Sequence, residues 1–255
     1  ALSLSGISGL TLNTNLAVAA GGPSLAVSGG TIATGNASTL SVAGSASFSS
    51  NIINVDFTNT GTTTASATDF TGTVTNTSGT LTVQGASSFS NTAVDSFSNA
   101  AGATLRLEAL GLGGNGANLT VANGFTNAGT IILTDNTGGS TSSLLTVTTG
   151  TLTNTGTIQY ADVSSAVQEI DAVLDNQGTL DVDSTGIVSL LNTGHTFTNT
   201  GTIDIASGAN LEVIGGAVTF DAGTILSGTG ALSLSGISGL TLNTNLAVAA
   251  GGPSL

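Results

Sequence analysis

Residues 1–25, ALSLSGISGLTLNTNLAVAAGGPSL, recur letter for letter as residues 231–255. Chance does not give 25 identities in a row at an offset of 230 residues. The simplest organisation is a tandem repeat, with one full unit at 1–230 and the start of the next at 231–255. This restricts the chain to architectures in which like elements stack on like. It also sets the expectation of a section from a longer chain, since neither copy carries the polar cap that closes a free solenoid end.

A looser, shorter period lies inside the unit. Five segments share an apolar residue, any residue, Asn, any residue, Gly and Thr. Their anchors are Phe57-x-Asn59-x-Gly61, Phe125-x-Asn127-x-Gly129, Leu152-x-Asn154-x-Gly156, Leu174-x-Asn176-x-Gly178 and Phe197-x-Asn199-x-Gly201. Three variants differ by an inserted or deleted residue and begin at Val74, Phe97 and Phe220. Successive anchors are 17, 23, 28, 27, 22, 23 and 23 residues apart. One unit therefore holds about ten coils of about 23 residues, within the size range of solenoid repeats.

A third pattern supplies strands. Pairs such as Leu25/Val27, Leu81/Val83, Leu105/Leu107, Leu119/Val121, Leu180/Val182 and Leu211/Val213 alternate with polar or small residues. Period-two alternation is the signature of a half-buried strand. The intervening residues, among them Ser41, Thr82, Arg106, Asp181, Asp204 and Glu212, are expected to face outward. Clusters of Gly, Asn and Ser supply turns. Helical periodicity appears only at 162–175, where Val163, Val167, Ile170, Val173 and Leu174 are compatible with a short helix or a long surface loop.

Such short strands cannot each bury a face alone. Wound as a coil, each can hydrogen-bond to its equivalent one coil later. The expectation is an all-β parallel β-solenoid. Phe57, Phe125 and Phe197 then stack in one column with Leu152 and Leu174. The motif Asn is expected at a corner, because Asn tolerates left-handed backbone, and stacked copies can form an amide ladder. At ~4.8 Å per coil one unit rises roughly 50 Å.

The strings FTNTGTI, LTNTGTI and SGTGALSLSG resemble those of right-handed β-helical bacterial surface proteins. These include autotransporter passengers, filamentous-haemagglutinin-like adhesins and giant repetitive surface proteins. The resemblance spans the whole chain, and its motifs describe coil turns rather than a ligand. It implies secretion, display at the cell surface or outside the cell, and a role in adhesion or matrix. The departure is the near-absence of Lys and Arg.

That absence shapes the functional expectations. Net charge is −13, and Arg106 is the single Lys or Arg residue. Nothing is available to neutralise phosphates, so nucleic acid is not an expected partner, and docking on anionic lipid is disfavoured. No run of apolar residues is long enough for a transmembrane helix, and eight scattered Phe and one Tyr do not make the girdles of a membrane barrel. Cys, Met and Trp are absent, which rules out disulfides and removes the most easily oxidised side chains. That composition suits an exposed, long-lived protein.

Candidate chemistry is sparse. Six of the 14 acidic residues fall between Asp162 and Asp183. Asp171, Asp175, Asp181 and Asp183 are the weak candidates for a calcium site, since hard cations require several oxygens at one point. His195 lacks the Cys or carboxylate neighbours of a metal motif and is expected as a surface turn residue. Arg106 and Glu108 share a strand face and are expected to pair locally. The Gly-rich run 111–116 lacks phosphate-binding context and is expected as a turn. Paired carboxylates on a β-helix would suit a polysaccharide-cleaving enzyme, but one Arg offers little support for acidic sugars. A flat Thr array would suit ice binding, but the outward positions mix Ala, Ser, Thr, Gln, Asp and Glu. No catalytic residue and no cofactor is expected. The expected function is a structural component of a fibre whose partner is itself, end to end and laterally. The alternative is the rigid stalk of an adhesin that binds elsewhere.

Overall fold

A computed structural model describes residues 1–110, 116–135, 141–161, 166–246 and 254. The described residues contain strands and no helix. They wind as a parallel β-solenoid with three strands per coil, one on each of three faces. The first face is an 11-stranded sheet running from Leu2–Ser5 to Ile225–Gly228. The second and third faces belong to one 19-stranded sheet. They are joined by three long strands, Ala117–Asn127, Ser143–Asn154 and Val167–Asn176, that continue round the corner between them. Register shifts at Asn123/Phe125 and Thr146/Thr151 mark that corner. The extra residues there, one in the first shift and three in the second, let the strand bend without leaving the ladder.

Parallel pairing one coil apart places like residues over like. On the first face Leu81, Leu105, Ile131, Ile158, Leu180 and Ile203 form one column, each 0% exposed. The third face stacks Leu40, Phe57, Val74 and Phe97, and further along Phe125, Leu152, Leu174 and Phe197. The expected shared column of Phe57, Phe125, Phe197, Leu152 and Leu174 is thus present. The rings of Phe48, Phe57, Phe70, Phe89, Phe97 and Phe125 run through the core as a chain of contacts, with centroids 4.6–6.4 Å apart. Such pairs add roughly 0.5–1.5 kcal/mol each beyond area burial. A single apolar core extends from Leu12 to Leu232.

The structure corrects three local expectations. Residues 167–176 form neither loop nor helix. They are a ten-residue strand in strict alternation, with Ile170, Ala172 and Leu174 inward and Val167 and Val173 half-exposed. Pairing along both edges overrides a weak helical pattern that no cap supports. Val163 and Asp162 lie outside the described residues, as does the run 111–115. Phe220 is not a column mate of Phe197. Val218 pairs with Phe197, and Phe220 pairs with Asn199, so the true step is two residues shorter. The motif Asn residues are not left-handed either. The non-Gly residues with positive φ are Ala37, Ser50, Ala67 and Asp95 among those described.

The motif glycines are required by contact rather than by dihedral. None of Gly61, Gly129, Gly156, Gly178 and Gly201 has positive φ. A Cβ on Gly156 would overlap the carbonyl oxygen of Gly129, and one on Gly178 would overlap that of Gly156. Those carbonyls come close because they accept the next coil's amides, Thr157 N–H to Gly129 O at 2.9 Å and Thr179 N–H to Gly156 O at 2.9 Å. Gly156→Ala should therefore destabilise the coil by about 3 kcal/mol or more. Gly239→Ala, where a Cβ meets nothing within 4 Å, should be near neutral. Urea denaturation followed by far-UV circular dichroism distinguishes the two, and equal effects would contradict the contact.

Candidate functional site

The most organised polar chemistry lies inside the protein. Each motif Asn ends a third-face strand with its side chain turned inward, 0% exposed. The carboxamides hydrogen-bond in one line. The Nδ2 of each Asn donates to the Oδ1 of the next along Asn59, Asn76, Asn99, Asn127, Asn154, Asn176 and Asn199, at 2.6–2.8 Å. The second Nδ2 hydrogen reaches backbone. Asn76, Asn99, Asn127, Asn154 and Asn176 donate to the carbonyls of Thr104, Thr130, Thr157, Thr179 and Thr202, at 2.9–3.3 Å. A buried amide left alone would cost several kcal/mol, whereas here donors and acceptors are matched along the line.

Side chains terminate the ladder at both ends. Thr63 Oγ1 donates to Asn59 Oδ1 at 2.9 Å, and Asn199 Nδ2 donates to Thr224 Oγ1 at 3.1 Å. Beyond these ends the same column position is apolar, Val42 below Asn59 and Phe220 above Asn199. The variant coils at Val74 and Phe97 keep the ladder through Asn76 and Asn99. Two further buried Asn side chains were not marked by the motif. Asn51 donates to the carbonyls of Gly29 and Gly30, and Asn192 to those of Gly215 and Ala217. Each stands outside the repeated string, so only its burial reveals it.

The outer surface carries most of the remaining chemistry, and the described acidic residues other than the buried Asp135 are spread over it. Asp171 and Asp175 lie on the outward side of one strand. Asp175 accepts from Gln177 at 2.7 Å. Asp171 Oδ1 stands 2.9 Å from His195 Nε2 one coil on. His195 is the expected turn residue, with a carboxylate partner that the sequence, 24 positions apart, gave no reason to pair with it. Asp181 and Asp183 lie apart from these, on the first face and just beyond its strand, and share Gln159 Nε2 at 3.2 Å each. The four candidates therefore do not converge, and no group of three or more His, Cys, Asp or Glu capable of holding a metal ion occurs among the described residues. Arg106 and Glu108 pair as expected, at 3.0 Å, with Gln84 donating to the other Glu108 oxygen at 2.9 Å.

Burial, followed by the nearby charges of Asp183 and Asp204, raises the Asp181 carboxyl above the usual range, opposed by the Gln159 hydrogen bond. Burial and then Asp171 raise Glu169 likewise. Inside the first face, Tyr160 is fully buried with no hydrogen-bond partner for its hydroxyl, and burial raises its pKa strongly.

Sorting the surface by face reveals an order hidden in the linear sequence. The outward centres of the third face are Ala17, Ser41, Thr58, Thr75, Ser98, Thr126, Thr153, Asp175, Thr198, Thr219 and Thr241. The outward charges Arg106, Glu108, Asp181 and Asp204 lie on the first face, and Asp69, Glu169, Asp171 and Glu212 on the second. Pooling the faces had made the surface look mixed.

No protein-family model matches the chain, and no curated protein or solved structure is detectably similar to it. The functional reading rests on the sequence repeats and the geometry of the winding.

Two outcomes follow. Asn127→Ala removes the acceptor of Asn99 and the donor of Asn154 in a buried site, and should cost on the order of 3 kcal/mol. Asn127→Asp should cost more at neutral pH, since it buries a charge. Chemical denaturation measures both, and a neutral Asn127→Ala would show that the ladder is incidental. Because the Asp181 carboxyl is raised in the folded state, its ionisation opposes folding as pH rises through that raised value. Asp181→Asn should therefore raise Tm at neutral pH and leave it unchanged in acid below the ordinary carboxylate range. The reverse order in a thermal scan would contradict the assignment.

Proposed function

We propose that this chain is a section of a long extracellular or cell-surface fibre built from tandem, identical β-solenoid units. The observation that carries this reading is the exact copy of residues 1–25 at 231–255, set within one continuous winding. The second copy extends the solenoid rather than folding apart from it. Ala231–Ser235 pairs in parallel with Asn210–Ile214, and Gly239–Leu242 with Ala217–Phe220.

The physical chemistry supports a load-bearing role. Every coil is tied to the next by backbone pairing and a shared apolar core. A rod of this kind resists bending, because bending must open ladders along one side. Its surface is hydroxyl-rich and acidic. Its partner in this reading is another copy of the same unit, end to end. Lateral contact between rods is opposed only by net acidic repulsion.

Electron microscopy of the native material tests the proposal. A continuous rod with an axial rise of roughly 50 Å per unit is expected, from ~4.8 Å per coil. Compact particles would overturn it. A second expectation concerns proteolysis. The chain offers trypsin one cleavage point, Arg106, which lies half-buried within the strand Thr104–Ala109. The native protein should survive trypsin intact, and the unfolded protein should give two fragments on a gel.

A further inference from the structure

We infer that the repeat unit advances the solenoid by about ten and one-third coils, so that each unit presents its surface one face further round than the unit before it. The two copies of the 25-residue segment supply the measurement. In the first copy, Leu2–Ser5 lies on the first face, paired with Leu25–Ser28. In the second, the identical residues Leu232–Ser235, within the strand Ala231–Ser235, lie on the second face, paired with the strand Asn210–Ile214. The next strand repeats the displacement. Gly9–Leu12 belongs to the second face, paired with Thr31–Thr34, whereas Gly239–Leu242 belongs to the third, paired with Ala217–Phe220.

The local contacts within the two copies are nevertheless the same. Leu2 N–H donates to Ser24 O at 2.8 Å, and Leu232 N–H donates to Ser254 O at 2.9 Å. Each copy thus pairs with its own next coil in the same way, and only its position round the axis differs. The first-face sheet confirms the count: its 11 strands give ten coil steps from Leu2–Ser5 to Ile225–Gly228, and Ala231–Ser235 follows on the next face. The sequence tolerates the shift because every face asks for the same alternation of apolar and small residues. The Leu-Ser-Leu and Leu-Thr-Leu strings of the copied segment satisfy any of the three.

The consequence for a fibre rests on the tandem reading proposed above. The hydroxyl face over the Asn ladder, and the acidic first-face stripe of Asp181 and Asp204, would step round the axis from unit to unit. Three units would restore the starting face after about 31 coils, about 150 Å at ~4.8 Å per coil. A fibre would then offer each surface on three sides in turn and could contact a neighbouring copy equivalently on each side.

The test uses this chain, whose lack of Cys leaves only introduced thiols to react. Glu212 and Ser233 are register partners on the second face. Adjacent parallel strands lie ~4.8 Å apart, within disulfide reach. Under mild oxidation E212C/S233C should crosslink as completely as the control S3C/A26C, whose residues are partners on the first face. D204C/S233C should stay reduced. If the unit wound a whole number of turns, Ser233 would take the first-face position that Ser3 holds, next to Asp204. Crosslinking of D204C/S233C, or failure of E212C/S233C beside a crosslinked control, would overturn the inference. Neither result depends on whether units join into fibres, which microscopy decides separately.

Discussion

Parallel hydrogen bonding between successive coils is the constraint on which the rest of this structure depends. A strand in such a stack has one register, and a slip by one residue would turn its apolar side to water. Register therefore forces each inward position to carry a side chain that can lie on a copy of itself about 4.8 Å away. Leu, Ile, Val and Phe meet that requirement by packing. A charged residue does not, because like charges at that spacing repel in a medium that screens poorly. The inward columns are accordingly mostly apolar, and among the described residues the charges lie outside except for the buried Asp135.

Asn is the polar side chain that satisfies the same rule. A carboxamide has donors at one end and an acceptor at the other, so a row of them can be linked head to tail without leaving either unmatched. Seven rungs do this between Asn59 and Asn199. The spare hydrogen of most rungs holds the carbonyl of the Thr that begins the first-face strand one coil further along. The ladder thereby fastens the third face to the first at the corner where the motif Gly lets two coils approach. Asn, Gly and Thr of the motif are thus parts of one corner, each needed for a different reason: amide pairing, absence of a Cβ, and a backbone carbonyl positioned as acceptor.

Most of the architecture was legible in the chain. The nested repeats, the period-two alternation and the Phe and Leu column of the motif lead directly to a parallel solenoid, because few other folds can use so many similar short strands. The site was legible only in part. The Asn residues are recognisable as a stacked set, but the tolerance of Asn for left-handed backbone points to a corner, whereas they occupy inward strand positions. The acidic run between Asp171 and Asp183 looked like a cluster because its members are close in sequence. In a coil of about 23 residues, sequence neighbours ten apart lie on different faces, while partners such as Asp171 and His195 lie on adjacent coils. The strand Val167–Asn176 is hidden in the sequence for a related reason: a strand flanked on both sides needs little intrinsic preference of its own.

By itself the sequence determined the class of fold, the identity of the stacked columns and the poverty of charge, because these follow from pattern and composition that any winding must respect. Only the tertiary structure decided which residues share a face, where the amide ladder begins and ends, and that the copied segment returns one face further on. Those properties depend on the summed lengths of all intervening coils, which run from 17 to 28 residues between the sequence anchors. A difference of a few residues at a corner leaves the alternation intact yet changes how far round the axis the next strand arrives.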